Sequence, residues 1–115
     1  MPSRARRWAR RSSSAEVATP KREPLPDDEI DRRLSALPGW KRESGEIYKW
    51  FRFDGFPQAI AFLQRLVEPC ERLNHHPDVE NHYDRVRIGL HTWNVNAITE
   101  KDLELAAEIE RLSVG

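Results

Sequence analysis

At 115 residues the chain has room for one small domain. Charged residues make up 33% of it and hydrophobic residues 38%, so the core is modest and we expect a homodimer or homotetramer to bury further surface. The single cysteine, Cys70, excludes an intramolecular disulfide and a cysteine-based metal cluster. No apolar run approaches the roughly 20 residues of a membrane-spanning helix. This composition predicts a cytoplasmic protein with no membrane partner.

Charge is distributed unevenly along the chain. Residues 1–22 carry seven basic side chains against Glu16, a net charge of +6, and the other 93 residues carry 12 basic and 18 acidic ones, a net charge of −6. Residues 1–26 are rich in Arg, Ser and Pro, which predicts a disordered basic extension before one folded domain over residues 27–115. The extension can be a solubilising tail, an organelle-targeting peptide, or an arm that docks on an acidic protein partner or a nucleic acid.

The first predicted elements are a helix and a β-hairpin. Asp27 or Asp28 can cap a short helix, which ends at Pro38-Gly39. A strand from Trp40, a turn at Ser44-Gly45 and a second strand then follow. The second strand alternates in polarity, so its odd-numbered residues from Ile47 to Phe53 should share one face.

The longest predicted helix runs from Phe56 to Leu73. Pro69, in its last third, cannot donate a hydrogen bond to the carbonyl of Arg65, so we expect a kink there. The apolar residues of this helix cover more than one side: Ile60, Phe62, Leu63, Leu66, Val67 and Cys70. One side is expected to pack on the sheet, and another on a second copy of the chain.

Two more strands and a final helix complete the predicted domain. One strand leaves Pro77, and the next places Val86, Ile88, Leu90 and Thr92 on one face. Thr99, followed three residues later by Asp102, has the spacing of a capping box that begins the last helix. The order α-β-β-α-β-β-α predicts an α+β fold, a four-stranded antiparallel sheet with helices packed on one face.

A pair of adjacent histidines, His75 and His76, is the motif best suited to chemistry. Histidine is the side chain whose ordinary pKa lies nearest to neutral pH, so two imidazoles at the end of an element suggest proton transfer. Glu71 lies one helical turn before the pair, and Trp93 follows at a longer distance.

The residues around the histidines resemble the signature of the pterin-4a-carbinolamine dehydratase family. That signature combines an acidic or basic residue, His-His-Pro, an aromatic residue, a His or Trp, and an Asp; its counterparts here are Glu71, His75-His76-Pro77, Tyr83, Trp93 and Asp102. The resemblance covers about residues 27–112. It implies dehydration of a 4a-hydroxytetrahydropterin, the substrate, to the quinonoid dihydropterin, with no metal and no bound cofactor.

The resemblance also implies roles for individual residues. His75 and His76 would be the catalytic acid and base, in an order that the sequence leaves open. Glu71 would orient an imidazole or accept from the pterin N–H groups, and Asp102 would lie at the rim of the pocket. The residues expected to bind the substrate are Glu71, Asn74, Pro77, Trp93, Lys101 and Asp102.

Departures from the family pattern keep a second class of function open. Many family members have a third histidine where this chain has Trp93, and an indole cannot transfer a proton in its place. Members of the family also act as dimerisation cofactors of a transcription factor, or as dehydratase-like assembly factors for Rubisco in plastids and carboxysomes. The alternative is therefore a non-catalytic scaffold, carboxysome-associated or targeted to an organelle.

Two further histidines, His82 and His91, raise the question of a metal site together with the histidine pair. No carboxylate falls at ligand spacing from that pair, so we interpret His82 and His91 as solvated strand residues and expect no metal.

Overall fold

The computed structural model describes residues 23–113, and eight helices and strands lie within that range. In chain order they are α1 (Asp27–Leu34), β1 (Lys41–Glu43), β2 (Glu46–Arg52), α2 (Phe56–Arg65), α3 (Val67–Arg72), β3 (Asp78–His82), β4 (Arg85–Leu90) and α4 (Glu100–Ser113). The predicted α+β fold is confirmed, with the long helix divided in two. The basic extension over residues 1–22 lies outside the described residues, so its predicted disorder and its docking role remain predictions.

The packed part of the chain begins ahead of α1. Pro24 forms an antiparallel bridge with Thr99, and the amide of Leu25 donates to the carbonyl of Ile98 at 3.0 Å. The boundary predicted between residues 26 and 27 therefore falls inside the packed unit. Pro26 occupies the N-cap position of α1 and no side chain caps the helix, so Asp27 is its first helical residue rather than its cap. A carboxylate in the first turn still stabilises the positive end of the helix dipole.

The four strands form one antiparallel sheet in the order β1-β2-β4-β3. Ile47 of β2 pairs with Leu90 of β4, and Asp78 of β3 pairs with Gly89 of β4. Side chains alternate as predicted, and the residues on one side, Ile47, Ile88 and Leu90, are buried under the helices. The opposite side, called the outer face below, consists of Glu46, Tyr48, Trp50, Arg52, Asp78, Glu80, His82, Arg85, Arg87, Gly89 and His91.

The break in the long helix lies at Leu66, between α2 and α3. Pro69 explains it, because the missing N–H of Pro69 would have bonded to the carbonyl of Arg65, the last residue of α2. The helical ladder resumes where the amide of Cys70 donates to the carbonyl of Leu66 at 3.1 Å. The predicted interruption is therefore present, but it begins before the last third of the helix.

Packing on the helix-bearing side centres on Phe62 of α2. This fully buried ring lies 5.0 Å from the ring of Phe51 and 4.9 Å from that of Phe53, between ring centroids. The charge of Lys49 on the same side is matched by Glu110 of α4, at 2.9 Å between Nζ and Oε1. Of the helices in residues 23–113, none has the length and apolar character that crossing a bilayer requires.

Candidate active site

The histidine pair is delivered by the end of α3. After the last turn, Asn74 adopts a left-handed backbone conformation, with a φ of 52°. The amide of His75 donates to the carbonyl of Cys70 at 3.0 Å, and the amide of Asn74 donates to the carbonyl of Glu71 at 3.2 Å. This pattern is a Schellman motif, in which a glycine or asparagine stops the helix and turns the chain sharply. The motif directs His75 and His76 away from the helix axis, and Pro77 then leads into β3.

His75 is buried and is held by a carboxylate that lies 27 residues further along the chain. Its Nε2 lies 2.5 Å from Oδ1 of Asp102, which is the third residue of α4. His75 is 6% exposed and Asp102 is 0% exposed. Asp102 was expected at the rim of the pocket. It lies behind the imidazole instead, because the capping box that begins α4 turns its carboxylate inward.

Two threonines complete the hydrogen bonds of Asp102. Its Oδ2 accepts from the hydroxyl of Thr92 and from the amide of Thr99, both at 2.9 Å, and the second of these bonds confirms the predicted capping box. Since Thr92 uses its proton there, Thr99 is the donor in the 2.7 Å contact between the two hydroxyls. The hydroxyl of Thr99 in turn accepts from the amide of Lys101 at 3.2 Å.

This chain of donors determines the tautomer of His75. Thr92 and Thr99 both donate to Asp102, and an ionised carboxylate can only accept, so Nε2 of His75 is the donor in its contact with Asp102 when that carboxylate is ionised. In the neutral imidazole, Nδ1 is then the nitrogen with a free lone pair. The buried pair therefore presents a base whose protonated form the carboxylate can stabilise.

His76 has the opposite environment. Its Nε2 lies 2.7 Å from Oε2 of Glu71, and both side chains are exposed to solvent. Glu71 therefore orients the second imidazole, one of the two roles considered for it. Because solvent reaches this pair, His76 can exchange protons with water, which His75 cannot do as directly.

Both imidazoles line one cavity of about 250 Å³. Its walls consist of Asn74, His75, His76, Thr92, Trp93 and Asn94. This volume is close to the lower limit of roughly 300 Å³ for small-molecule pockets, so a bicyclic ring is a better match than a larger ligand. Trp93, one of these wall residues, is 78% exposed. Thr92 and Asn94 were not predicted as site residues. The one signal in the sequence was that Thr92, a polar residue, shares a strand face with Val86, Ile88 and Leu90.

Three other predicted residues lie beside this cavity rather than in its walls. Glu71 and Pro77 line a neighbouring apolar groove of about 290 Å³, which His76 separates from the cavity. The ammonium group of Lys101 donates to the backbone carbonyl of Leu73, so it holds the end of α3 against α4. Burial raises the pKa of the Cys70 thiol in the same groove, and the nearby charge of Glu71 adds to that effect.

These features define a class of protein: an α+β fold in which two adjacent histidines line a small polar cavity. The family described as pterin 4 alpha carbinolamine dehydratase matches residues 23–112. A protein from Picosynechococcus, provisionally named a pterin-4-alpha-carbinolamine dehydratase, is 40% identical over 88 residues, which cover 76% of this chain and 96% of that one. A protein of the same provisional name from Acidobacterium capsulatum is 43% identical over 83 residues, covering 72% and 90%.

Solved structures share the fold. A crystal structure from Brucella melitensis, described as a transcriptional coactivator/pterin dehydratase, is 31% identical with a TM-score of 0.76 and covers 79% of this chain and 99% of that one. A pterin dehydratase-like protein described as a RuBisCO assembly factor in the alpha-carboxysome is 24% identical with a TM-score of 0.53, covering 64% and 86%, and shows similarity of fold alone. The chain belongs to the pterin-4-alpha-carbinolamine dehydratase family.

Proposed function

We propose that this protein dehydrates a 4a-hydroxytetrahydropterin to the quinonoid dihydropterin, through acid–base catalysis by His75 and His76. The observation that carries the proposal is the pairing of each imidazole with its own carboxylate at one small cavity. Two imidazoles in different environments can be in different protonation states at the same pH, which a paired acid and base require.

We assign the roles of the two imidazoles on the basis of those environments. His75 acts as the base: its Nδ1 takes the proton from N5 of the pterin, while Asp102 stabilises the imidazolium that forms. His76, beside Glu71, acts as the acid and donates a proton to the 4a hydroxyl as the C4a–O bond breaks and water leaves. A double bond forms between N5 and C4a, and proton exchange with solvent at the exposed His76 begins the reset of the pair.

The remaining wall residues suit the binding of a flat heterocycle. Trp93 offers an indole face on which the pterin ring can stack. The amides of Asn74 and Asn94 can both donate to and accept from the amide-like edge of the pterin. In this proposal Asp102 and Lys101 act from behind the wall, where they position His75 and the end of α3.

The test is an assay of dehydration with freshly generated 4a-hydroxytetrahydropterin. The wild-type protein should exceed the uncatalysed rate, and His75→Ala and His76→Ala should each reduce turnover by about 10²–10⁴-fold, the usual contribution of a general acid or base. His82→Ala is the matched control, because His82 is an exposed histidine of β3 that lies outside the cavity. Wild-type turnover at the uncatalysed rate would reject the proposal.

The second candidate is a non-catalytic role as a scaffold, such as a Rubisco assembly factor or a transcription cofactor. It is favoured by Trp93, an exposed indole where many family members have a proton-transferring histidine. We propose that in this role residues 1–22 dock on an acidic partner. Deleting them should weaken binding to that partner and reduce its salt dependence. Binding that the deletion leaves unchanged would count against this role.

A further inference from the structure

We propose that Glu46, Asp78 and His91 form a binding site for a divalent transition-metal ion on the outer face of the sheet, separate from the histidine-pair cavity. Each of the three offers one ligand atom, and these atoms all lie within 4.8 Å of one another. The proposal concerns a site outside the reaction, so it does not depend on the proposed dehydratase activity.

Strand register brings the three residues together: Glu46 lies in β2, Asp78 in β3, and His91 directly after the end of β4. Glu46 directly precedes Ile47, which pairs with Leu90, and His91 directly follows Leu90. Asp78 pairs with Gly89 from the other side of β4. All three side chains therefore project from the same face, because Ile47 and Leu90, one residue away, project into the core.

Gly89, at the centre of this group, leaves room for the carboxylate of Glu46. A Cβ atom at position 89 would overlap Oε2 of Glu46, so a larger residue there would displace this carboxylate from its place beside β4. The other oxygen of Glu46, Oε1, accepts from Nη2 of Arg87 at 2.8 Å. Arg87 therefore orients the carboxylate and leaves Oε2 available, as outer-shell partners of metal ligands do.

The other two ligands are not engaged elsewhere among residues 23–113. Neither the carboxylate of Asp78 nor the imidazole of His91 makes a side-chain hydrogen bond or an ion pair with those residues. In particular, His91 lies close to two carboxylates without approaching either to ion-pair distance. Glu46 forms an ion pair with Arg87 through one oxygen, and the gap lies between its other oxygen, Asp78 and His91.

The ligand set indicates the kind of ion. One imidazole with two carboxylates suits Zn²⁺, Ni²⁺, Co²⁺ or Mn²⁺ better than Mg²⁺ or Ca²⁺, which prefer oxygen ligands alone. Metal–ligand bonds of about 2.0–2.2 Å require ligand atoms somewhat closer than the separation seen here, which small side-chain rotations can provide. Three protein ligands leave further positions for water.

The position of the site suggests its effect on the protein. Asp78 directly follows Pro77, and His91 directly precedes Thr92, so a bound ion would join the two segments that carry the histidine pair and the cavity wall. An ion that binds only the folded state raises its stability by mass action. We therefore expect the metal to stabilise the fold rather than to take part in chemistry.

The experiment uses the full, untagged chain after treatment with a chelator. Calorimetric titration with Zn²⁺ or Ni²⁺ should show one site per chain, and a stoichiometric amount of metal should raise Tm. His91→Ala should weaken binding at least tenfold and remove the rise in Tm, and Asp78→Asn, a change at an exposed residue, should weaken it too. His82→Ala, on the same face of the sheet, is the matched control and should bind as the wild type does.

Because the chain has four histidines, single variants show which imidazole binds the metal. An unchanged affinity in His91→Ala would overturn the proposal, as would a loss of binding in His75→Ala or His76→Ala that equals or exceeds the loss in His91→Ala. The absence of one-site binding by the wild-type chain would also overturn it. All of these experiments measure metal binding or Tm and none measures turnover. A failed dehydratase assay therefore does not contradict the metal site, and a failed metal titration does not contradict the dehydratase activity.

Discussion

Nε2 of His75 and Oδ1 of Asp102 lie 2.5 Å apart in a buried pair that joins the end of α3 to the start of α4. Asp102→Asn keeps the shape of the side chain but replaces an acceptor with an amide, and the tautomer of His75 is no longer imposed. We expect turnover to fall by about 10²–10⁴-fold, the contribution of a well-placed acid–base group. The measurement is kcat, together with long-range ¹⁵N NMR of the imidazole. An unchanged tautomer and normal turnover would refute the role given to Asp102.

Thr92 is predicted to support the same pair from behind. Thr92→Val keeps the shape but removes the hydroxyl that donates to Asp102, and it should lower the free energy of unfolding by about 2 kcal/mol, because a buried charged acceptor loses a partner. Turnover should fall less than in Asp102→Asn, since the amide of Thr99 still donates to the carboxylate. Thr92→Ser restores the hydroxyl and is the control for urea unfolding and turnover. Equal stability of the Val and Ser variants would contradict this prediction.

The conformation of Asn74 separates two possible roles for that residue. If it serves mainly to adopt the left-handed backbone of the Schellman motif, Asn74→Gly should keep both stability and turnover. Asn74→Ala should cost about 1–2 kcal/mol, because a Cβ atom without a local hydrogen-bonding group is strained in that conformation. If the amide instead binds the pterin, Asn74→Gly should raise KM without loss of stability. Thermal unfolding and steady-state kinetics on the two variants distinguish these outcomes.

Replacing Trp93 should affect the binding of substrate and not the stability of the fold. Because its side chain is mostly exposed, Trp93→Ala should change the free energy of unfolding by less than about 0.5 kcal/mol. Loss of a stacking face worth roughly 1–3 kcal/mol should raise KM about tenfold or more with kcat little changed. Trp93→His, which introduces the third histidine of many family members, should raise kcat instead. A KM that does not respond to Trp93→Ala would exclude stacking.

The buried thiol of Cys70 should make the free energy of unfolding depend on pH in the alkaline range. Burial raises the pKa of the thiol in the folded state above its unfolded value of about 8.5, so the folded protein holds the proton more tightly. The resulting stabilisation is present below the unfolded pKa and is lost as the pH rises through the folded pKa. Urea unfolding at a series of pH values should therefore show a steeper alkaline decline for the wild type than for Cys70→Ala. Parallel declines would mean that the thiol contributes nothing.

Much of the fold could be predicted because its causes are local. The alternation in β2 and β4, the capping box at Thr99 and the helix-breaking effect of Pro69 each depend on residues that are near neighbours in the chain. The errors were also local, as at α1, where Pro26 and not an aspartate occupies the N-cap position. The site was less predictable. Asp102 was expected at the rim of the pocket but lies in the interior, and the cavity wall includes Thr92 and Asn94, which were not predicted as site residues.

By itself, the sequence determined which groups are available: two adjacent imidazoles, a helix stop at Asn74 to present them, and the carboxylates and indole at family spacing. Only the tertiary structure decided which carboxylate serves which histidine. Asp102 is 27 residues from His75 and reaches it because α4 docks beside the end of α3, whereas Glu71, the nearer carboxylate, pairs with the exposed His76. Such pairings depend on the relative positions of packed elements, which no local pattern of residues encodes.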